Sequence, residues 1–555
     1  MTKDESSSAS QQESIATSED LMAIAPEPQN FIERALKPAI YIPRYPKWMV
    51  GKPLLWATCF FGSLGDALFG YDQGIMSGLL VNEVFIKRFY SDHGGIDGTT
   101  HGINPNLIGK YYFVHLRYSA NVLKVLLYLA FNFQRQSDLS QRAISETSWE
   151  GKVGGFIYFA MAFLQGFAPN LACFIAGRTI QGLGVGFLSM TVPVIQTEIA
   201  APHRRGLMVG VEYTFLIGGY MLSCWIDYGF NFLLPKDTSW QGPYFVQMGL
   251  AFVLFAMSFF LPETPRWLAR NGFKKEALQT VADLHSAGDT NDEGVKHVFM
   301  EIEQAVKYEA TMGKVTYREM FTKYRKRTLV GITAQMFAQL NGINVISFYL
   351  PSSLAAAGFD NRRSLLFTAA NAIIYTSATV PVWWLADRWG RRPLLIFGGI
   401  AMAVALSIMC VFNQANGLSV TTRANGIYSF VVIYNALYGA TWGPMPWLLP
   451  AEIFPLRARS KGMALATFSN WTFNFIIGMS SPAAFDGIHG YYYVIIACFC
   501  LTSVCLAKFY YVETANHTLE EIALAFGDKA FMMEDEQVIA DAALMRRPSV
   551  KAGGV

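Results

Sequence analysis

Stretches of about 20 apolar residues, long enough to cross a bilayer core of roughly 30 Å as helices, recur along this chain of 555 residues. They lie near residues 54–80, 111–133, 153–169, 171–197, 207–229 and 243–262 and, after a polar stretch, near 328–350, 364–386, 393–413, 425–450, 461–480 and 491–512. Only 15% of the residues are charged, against about 25% in soluble proteins. The pattern predicts an all-α membrane protein with twelve transmembrane helices in two sets of six.

The rest of the composition excludes several classes of function. The net charge is only +3 and no basic stripe is interleaved with aromatic residues, so nucleic acid is not an expected partner. The sequence contains no Walker-type phosphate-binding loop, which argues against an ATP-driven pump. The seven cysteines lie in apolar blocks and the eight histidines lack metal-ligand spacing. We therefore expect no disulfide framework, no metal, no cofactor and no enzymatic activity.

Polar segments divide the chain into five expected regions. These are a disordered N-terminal tail at 1–50, a first bundle at 51–262, a connector at 263–327, a second bundle at 328–512 and a C-terminal tail at 513–555. The connector holds twelve Lys and Arg residues, whereas loops 229–242 and 351–360 hold at most one each. Because basic residues favour the cytoplasmic side, we expect the connector and both termini there, with the plasma membrane as the default location.

The two halves repeat a pattern of acids and arginines. In each half a glutamate precedes an arginine by seven residues, and a second glutamate follows the first by 65 or 61 residues: Glu198, Arg205 and Glu263, then Glu452, Arg459 and Glu513. Such parallel repeats are typical of transporters whose halves rock about a central site. The acid–arginine segment 387–392 has no counterpart near residue 133, so the first half is expected to lack that element.

A series of motifs in order resembles the sugar porter family of the major facilitator superfamily. The motifs are GYDQGIMSG (70–78), GRTIQGLGVGF (177–187), PETPRWL (262–268), AQLNGIN (338–344), DRWGRRP (387–393), WGPMPWLLPAEIFP (442–455) and SNWTFNF (469–475). The resemblance covers about residues 54–515 except the stretch near 101–152. It implies a major facilitator fold of two six-helix bundles. It also implies transport of a hexose, pentose, disaccharide or polyol by alternating access.

Asp72 and Arg178 are charged residues within apolar blocks. A bare charge at membrane depth costs at least about 2.5–3.5 kcal/mol, so such residues usually pair and usually serve function. An Asp–Arg pair can act as a proton switch, because the arginine holds the carboxylate ionised until the pair separates. In proton-coupled members of the resembling family, the matching residues play this role. The alternative is a permanent ion pair that fixes helix packing in a facilitator.

Acids and arginines at the expected cytoplasmic face form two corresponding sets. They are Glu198, Arg205, Glu263 and Arg266 in the first half, and Asp387, Arg388, Arg391, Arg392, Glu452 and Arg459 in the second. Their short spacings at helix ends permit bidentate bridges between neighbouring helices. Bridges that form in the outward-facing state and break in the inward-facing state would act as a gate. The alternative is ordinary snorkelling of basic side chains to the headgroups.

Amide and aromatic residues within the apolar blocks are candidates for sugar contact. Gln339 and Asn344 can border one cavity, and amides both donate to and accept from hydroxyls. Trp447 offers a flat apolar face to a sugar ring. The resemblance assigns sugar contact or cavity lining to these residues and to Phe69 and Asn470. Helices seven and ten are expected to bend at their glycines and prolines. The alternative is that the polar residues only join helices.

Three substitutions depart from the family pattern. Tyr213 and Ala338 stand where sugar porters commonly have glutamines, and Tyr375 where they commonly have an asparagine. Each substitution removes an amide that could bond a sugar hydroxyl, so a different sugar, a polyol or a more aromatic substrate fits as well as glucose. We place Tyr213 and Tyr375 among the substrate-lining residues.

Two further functions stay open at this point. A sugar sensor that signals without net flux would share the fold, although the tail after residue 515 is short for the known sensors. The second is a divergent copy with impaired transport, because the polar run within 101–152 is atypical of a loop between packed helices. The expected partners are a sugar or polyol, the lipid bilayer and, for a symporter, protons; the chain is expected to be a monomer.

Overall fold

The computed structural model describes residues 45–93, 147–199, 205–312, 315–356, 359–415 and 417–515, together with residues 522 and 526. In the first half the described residues form α1 (Lys52–Leu79), α2 (Glu83–Tyr90), α3 (Thr147–Gly166), α4 (Leu171–Ile199), α5 (Arg205–Asn231) and α6 (Thr238–Ser258). The expected helix near 111–133, and most of the atypical stretch 101–152, lie outside the described residues.

The connector and the second half complete the helical chain. Four helices follow α6: α7 (Pro265–Arg270), α8 (Lys274–His285), α9 (Glu293–Met312) and α10 (Tyr317–Thr322). The second half contains α11 (Arg325–Leu340), α12 (Ile343–Ala356), α13 (Asn361–Thr379), α14 (Val382–Trp389), α15 (Arg391–Gln414), α16 (Val420–Ala440), α17 (Met445–Ile453), α18 (Leu456–Ile488) and α19 (Tyr491–Phe509). Every apolar block predicted from the sequence, other than 111–133, lies on these helices.

Three apolar blocks of the second half are broken into pairs of helices. The break between α11 and α12 falls at Gly342, whose φ of +96° is a conformation that glycine adopts without strain. The break between α16 and α17 falls just before Pro444. The expected bends of helices seven and ten are thus confirmed. The break between α13 and α14, next to Pro381, was not predicted.

Four described spans are long and apolar enough to cross a membrane: Leu207–Asn231, Arg325–Ala355, Arg391–Gln414 and Tyr491–Phe509. Helices α13 and α14, bent by 44°, pass the same test when taken as one span. Other long helices, such as α1 and α4, carry glycines and buried polar side chains that lower their mean hydropathy. Because these polar side chains face other helices and not lipid, α1 and α4 can still lie within a membrane.

Helix α1 packs along α5 through a row of glycines four residues apart. A Cβ at Gly70 would overlap the backbone of Leu216, one at Gly74 would crowd α5, and one at Gly78 would overlap Asp227. Residues four apart lie on one helix face, so the row lets the two backbones approach closely. This packing explains the spacing of glycines in the GYDQGIMSG segment.

The two halves meet where α1 lies against α12 and where α5 lies against α13 and α14. Between α14 and α5, the indole of Trp383 donates a hydrogen bond to Thr214 Oγ1 (3.0 Å). At the end away from the connector, Asn361 Nδ2 donates to the backbone oxygen of Val81 (3.2 Å). The halves are therefore closed against each other on the side opposite the connector.

The connector helices contact both halves. The backbone N–H of Gly51, at the start of α1, donates to the backbone oxygen of Asp283 on α8 (2.6 Å). Leu284 packs in a small apolar cluster with residues of α1, α4 and α5. Helix α10 lies against the second half, where the Lys461 ammonium sits 4.8 Å from the ring centroid of Tyr317. The connector is thus positioned to respond when the halves move.

An ion pair joins α8 to α9 within the connector. Lys274 Nζ lies 2.6 Å from Glu303 Oε1, and Lys307 Nζ lies 3.3 Å from the same oxygen. Burial alone would raise the pKa of Glu303, but the hydrogen bonds and charges of Lys274 and Lys307 together lower it. The carboxylate therefore helps to hold the two helices together at neutral pH.

Candidate substrate and proton site

Asp72 and Arg178 form an ion pair inside the first half. Arg178 Nη1 lies 3.4 Å from Asp72 Oδ1, and the two side chains are only 3% and 1% exposed. Arg178 also donates to the backbone oxygen of Asp72 (2.9 Å), to Tyr244 Oη (3.1 Å) and to Gln165 Oε1 (3.3 Å). Gln247 Nε2 donates to Asp72 Oδ1 (2.9 Å). Helices α1, α3, α4 and α6 together hold the pair.

Amide side chains form a hydrogen-bonded cluster in the core of the second half. The cluster contains Gln335 and Gln339 on α11, Asn344 on α12, and Asn470 and Asn474 on α18. Gln339 Nε2 donates to Asn470 Oδ1 (3.1 Å), and Asn470 Nδ2 donates to Gln335 Oε1 (2.6 Å). Asn344 and Asn474 both donate to Gln339 Oε1, at 2.5 and 3.3 Å. Three of the predicted substrate residues, Gln339, Asn344 and Asn470, therefore lie together.

Aromatic side chains join the two halves beside this cluster. The hydroxyls of Tyr213 on α5 and Tyr375 on α13 lie 3.0 Å apart in a hydrogen bond. The ring of Phe69 on α1 packs against that of Trp471 on α18, with centroids 5.0 Å apart. A Cβ at Gly443 would overlap the ring of Tyr213, so the second half approaches α5 closely here. The predicted residues Phe69, Tyr213 and Tyr375 thus lie at the interface between the halves.

A cavity of about 20 Å³ lies at the same interface. Its lining residues are Asp66, Phe69, Ser189, Val209, Glu212, Tyr213, Leu216 and Trp447. A water molecule needs about 10–15 Å³ when cavity volume is measured in this way. The cavity therefore has room for a single water and not for a sugar, so a solute of that size can enter only if the halves separate. Trp447 is the residue that lines it from the second half.

The predicted gate residues of the second half form a network around Arg391. Its guanidinium contacts Glu452 at 2.7 and 3.2 Å and Asp387 at 2.9 Å. Glu513 accepts hydrogen bonds from the backbone N–H groups of Arg391 (2.8 Å) and Arg392 (3.0 Å), which begin α15. The carboxylate thus caps a helix N-terminus, where negative charge is stabilised. The network ties together α14, α15, α17 and the segment after α19.

The other predicted gate residues lie near helix ends. Arg388 is exposed on α14, and Arg459 is half-buried on α18. In the first half, Glu198 belongs to the last turn of α4 and Arg205 begins α5; their side chains lie outside the described ones. Glu263 and Arg266 flank the start of α7.

Sequence reasoning missed several residues of these networks. Gln335 lies four residues before Gln339 and Asn474 four after Asn470, so the spacing that puts residues on one helix face could have found them. Gln247 and Tyr244 on α6 have no such signal, because they reach Asp72 and Arg178 only through packing of distant helices. Asp66 and Glu212, which line the cavity, were also missed, although charged residues in apolar blocks are a signal in themselves.

Solved structures of a xylose transporter share this fold. The structure of the proton:xylose symporter XylE bound to 6-bromo-6-deoxy-D-glucose matches with a TM-score of 0.70 at 21% identity, covering 85% of this chain and 98% of that chain. An inward open conformation of the xylose transporter XylE from E. coli matches with a TM-score of 0.63. The chain therefore has the fold of these two structures.

Sequence comparisons then give the family. The model described as sugar (and other) transporter matches residues 149–526. A high-affinity glucose transporter of Kluyveromyces lactis is 30% identical over 482 residues, 83% of this chain and 83% of that protein. Sugar transport protein 4 of Arabidopsis thaliana is 28% identical over 518 residues, 90% of this chain and 96% of that protein. The chain belongs to the sugar transporter family, as the motifs predicted.

Proposed function

We propose that this transporter moves a sugar-like solute by alternating access, in symport with a proton bound at Asp72. The observation that carries the proposal is the division of polar groups between the halves. The first half buries an ion pair able to accept a proton, and the second half buries amides able to bond hydroxyls. The contact between the rings of Phe69 and Trp471 links the half with the ion pair to the half with the amides. A solute between the halves would therefore influence both the ion pair and the amides.

Protonation of Asp72 would change the balance of its network. A neutral Asp72 keeps its contact with Gln247 but no longer compensates the charge of Arg178. Arg178 keeps neutral acceptors in Tyr244 and Gln165. An uncompensated buried charge favours a conformation in which water reaches it. Proton binding would therefore shift the equilibrium between states with the halves differently arranged.

The amide cluster would exchange its internal hydrogen bonds for bonds to the solute. Amides offer both donors and acceptors, which matches hydroxyl groups. In the closed cluster Gln339 and Asn470 bond each other, so a sugar that inserts between them replaces bonds already formed. Trp447 and Phe69 would cover the apolar face of the ring. The hydrogen bond between the hydroxyls of Tyr213 and Tyr375 would break when the solute enters.

The acid–arginine network around Arg391 would act as a gate at the connector side. Its bidentate contact with Glu452 is geometrically demanding, so a small shift of α17 against α15 would break it. We assign the corresponding role in the first half to Glu198, Arg205, Glu263 and Arg266. The remaining residues Asp387, Arg388, Arg392 and Arg459 complete the set in the second half.

We place the transporter in the plasma membrane, acting as a monomer, with its connector on the cytoplasmic side. The basic connector 263–327 favours the cytoplasmic side, so the tails 1–50 and 513–555 would lie there too. Bundles 51–262 and 328–512 would be the two rocking domains, and no covalent chemistry would take place. The closed side opposite the connector would then face the cell exterior.

A second candidate function is facilitated diffusion without a proton. The observation that favours it is the completeness of the Asp72 network, in which Arg178 and Gln247 both contact the carboxylate. Such a pair could stay ionised throughout the cycle and serve only to hold the helices. The two candidates predict different pH behaviour.

Uptake of a labelled panel of hexoses, pentoses, disaccharides and polyols tests the proposal in cells that lack their own hexose carriers. External pH is recorded during uptake. Symport predicts that external pH rises with uptake and that Asp72→Asn abolishes the rise. Uptake with no pH change, and equal uptake by Asp72→Asn, would favour facilitated diffusion. No uptake of any panel member would favour a sensor or an impaired copy.

A further inference from the structure

Two carboxyl groups lie together in the cavity between the halves. Asp66 is on α1 and Glu212 is on α5, and both line the cavity. Their side chains are strongly buried, with residue exposures of 4% and 8%. Asp66 lies about two turns of α1 before Asp72. Neither acid belongs to the ion pair or to the amide cluster. Asp66 occurs beside GYDQGIMSG and Glu212 beside Tyr213, yet no role was assigned to either from the sequence.

The contact between the two carboxyl groups requires a proton. Asp66 and Glu212 line the same cavity of about 20 Å³, and a hydrogen bond joins their side chains. Ionised carboxylates have acceptors only, so a hydrogen bond between two carboxyl groups exists only when one of them is protonated. Two bare carboxylates in contact would also repel strongly in a buried site. The geometry is that of a pair that shares one proton.

The remaining hydrogen bonds fit a singly protonated pair. With its amide oriented to satisfy its neighbours, Gln196 on α4 donates to Glu212 Oε2 (3.2 Å) and accepts from Ser63 Oγ (2.8 Å). Among the described residues, Asp66 Oδ2 is buried and has no hydrogen-bond partner. Glu212 thus has an external donor, whereas one oxygen of Asp66 is left without one.

No described cation compensates the pair. The titratable groups close to it are Cys59 on α1 and Tyr213 on α5, both neutral at physiological pH. Tyr213 is bonded to Tyr375 of α13, and Arg178 of α4 is bonded to Asp72. From α17, Glu452 is bonded to Arg391. On α6, Tyr244 accepts a hydrogen bond from Arg178. The titratable groups of α8 include Asp283 and His285, and those of α14 are Asp387 and Arg388.

We propose that Asp66 and Glu212 form a second proton-binding site, which holds one shared proton while the halves are closed over it and exchanges that proton with water when they part. Trp447 covers the cavity from the second half, whereas both acids belong to the first. Separation of the halves would therefore expose the two carboxyl groups to water and leave them in contact with each other. Water stabilises ionised carboxylates, so the proton leaves in the open state and returns in the closed one.

The proposal rests on the alternating access described above but not on proton binding at Asp72. A transporter with both sites would bind two protons in different places, one in the ion pair and one at the cavity. Binding of a solute against Trp447 would also change the hydration of the pair. The second site thus links proton occupancy directly to the closure of the halves over the cavity.

Infrared spectroscopy of the full-length protein in a detergent without ester groups tests the proposal without any transport measurement. A protonated carboxyl has a C=O stretch that is resolved from that of an ionised one. Asp227 is a further buried carboxyl, and neither of its oxygens has a hydrogen-bond partner among the described residues, so the band of the pair is identified by difference spectra. At neutral pH we expect the wild type to show a protonated-carboxyl band that Asp66→Asn and Glu212→Gln each lack in the difference spectrum, because the new amide donates to the remaining carboxylate. Ser189→Ala, which alters the cavity without removing an acid, is the matched control and should keep the band.

Two further variants keep the test decisive if a substitution impairs folding. Asp66→Glu and Glu212→Asp preserve both acids and should retain the band at a shifted frequency. Asp72→Asn should retain it unchanged, so failure of the Asp72 symport proposal would leave this result intact. A wild-type spectrum without the band at neutral pH would overturn the shared proton. A band of unchanged intensity in both Asp66→Asn and Glu212→Gln would assign that proton elsewhere and would equally overturn it.

Discussion

The two halves of the transporter place their charged and neutral polar groups at different depths. The first half buries charge in its core: Asp72 and Arg178 are 1% and 3% exposed. The second half buries neutral amides at its core, and its main ionic network lies near helix ends, where Asp387 remains 50% exposed. A buried charge must be compensated at every moment of the cycle, whereas an amide can exchange partners at little cost. The difference suits the first half to bind protons and the second to bind solute.

Removal of one arginine in each half should give the largest contrast. Arg178→Leu leaves Asp72 buried and uncompensated, which should destabilise the protein by about 3–5 kcal/mol and abolish transport. Arg391→Leu should cost about 1.5–3 kcal/mol, because Glu452 and Asp387 can still reach water. Thermal unfolding of the purified variants in detergent measures both. Equal losses for the two variants would contradict the assigned difference between the halves.

The amide cluster should show a graded response to single substitutions. Asn470→Ala removes a residue that bonds both Gln335 and Gln339, whereas Asn474→Ala removes one that bonds Gln339 alone. Unpaired buried amides cost about 1–3 kcal/mol each, so KM for the transported solute should rise about tenfold or more in Asn470→Ala. The matched variant Asn474→Ala should show a smaller rise. A reversed order would place the solute elsewhere in the second half.

The carboxylate that caps α15 should contribute a smaller effect. Glu513→Gln keeps one acceptor for the N–H groups of Arg391 and Arg392 but removes the charge at the helix N-terminus. The expected loss is about 0.3–1 kcal/mol of stability, with a reduced maximal transport rate as the gate loosens. Thermal unfolding and initial uptake rates measure the two quantities. An increase in stability would show that the cap is strained in the wild type.

The connector should show the smallest effect, confined to acidic pH. Because the pKa of Glu303 is lowered in the folded protein from its ordinary value of 4.5, its contribution to stability is fully present above that value. The contribution is lost as pH falls through the lowered pKa. Hydrogen exchange of α9 should therefore accelerate between about pH 6 and about pH 3, after correction for intrinsic rates, more in the wild type than in Glu303→Gln. An identical response in both proteins would show that ionised Glu303 does not stabilise α9.

Local periodicity and composition predicted most of the helices. Block length predicted each described membrane helix, and Gly342 and Pro444 marked two of the three breaks. The third break, beside Pro381, was missed although proline is a recognised helix breaker. The motifs also led to the correct family, because they are local strings whose order along the chain is specific.

The partners within each network could not be predicted from local sequence. Gln247 reaches Asp72 across 175 positions of chain, and Glu513 reaches Arg391 across 122. Such contacts depend on how whole helices pack, which no local pattern encodes. Asp66 and Glu212 could each be recognised from the sequence as a charge in an apolar block. Their proximity could not be predicted, because it depends on the packing of α1 against α5.

Accumulation of solute in proteoliposomes under an imposed pH gradient tests most directly whether the first half binds the coupling proton and the second the solute. Exchange of labelled for unlabelled solute is measured in parallel without a gradient. If Asp72 binds the coupling proton and the amides bind the solute, Asp72→Asn retains exchange but loses gradient-driven accumulation, whereas Asn470→Ala is impaired in both at the same solute concentration. Accumulation by Asp72→Asn at the wild-type level would contradict this division between the halves.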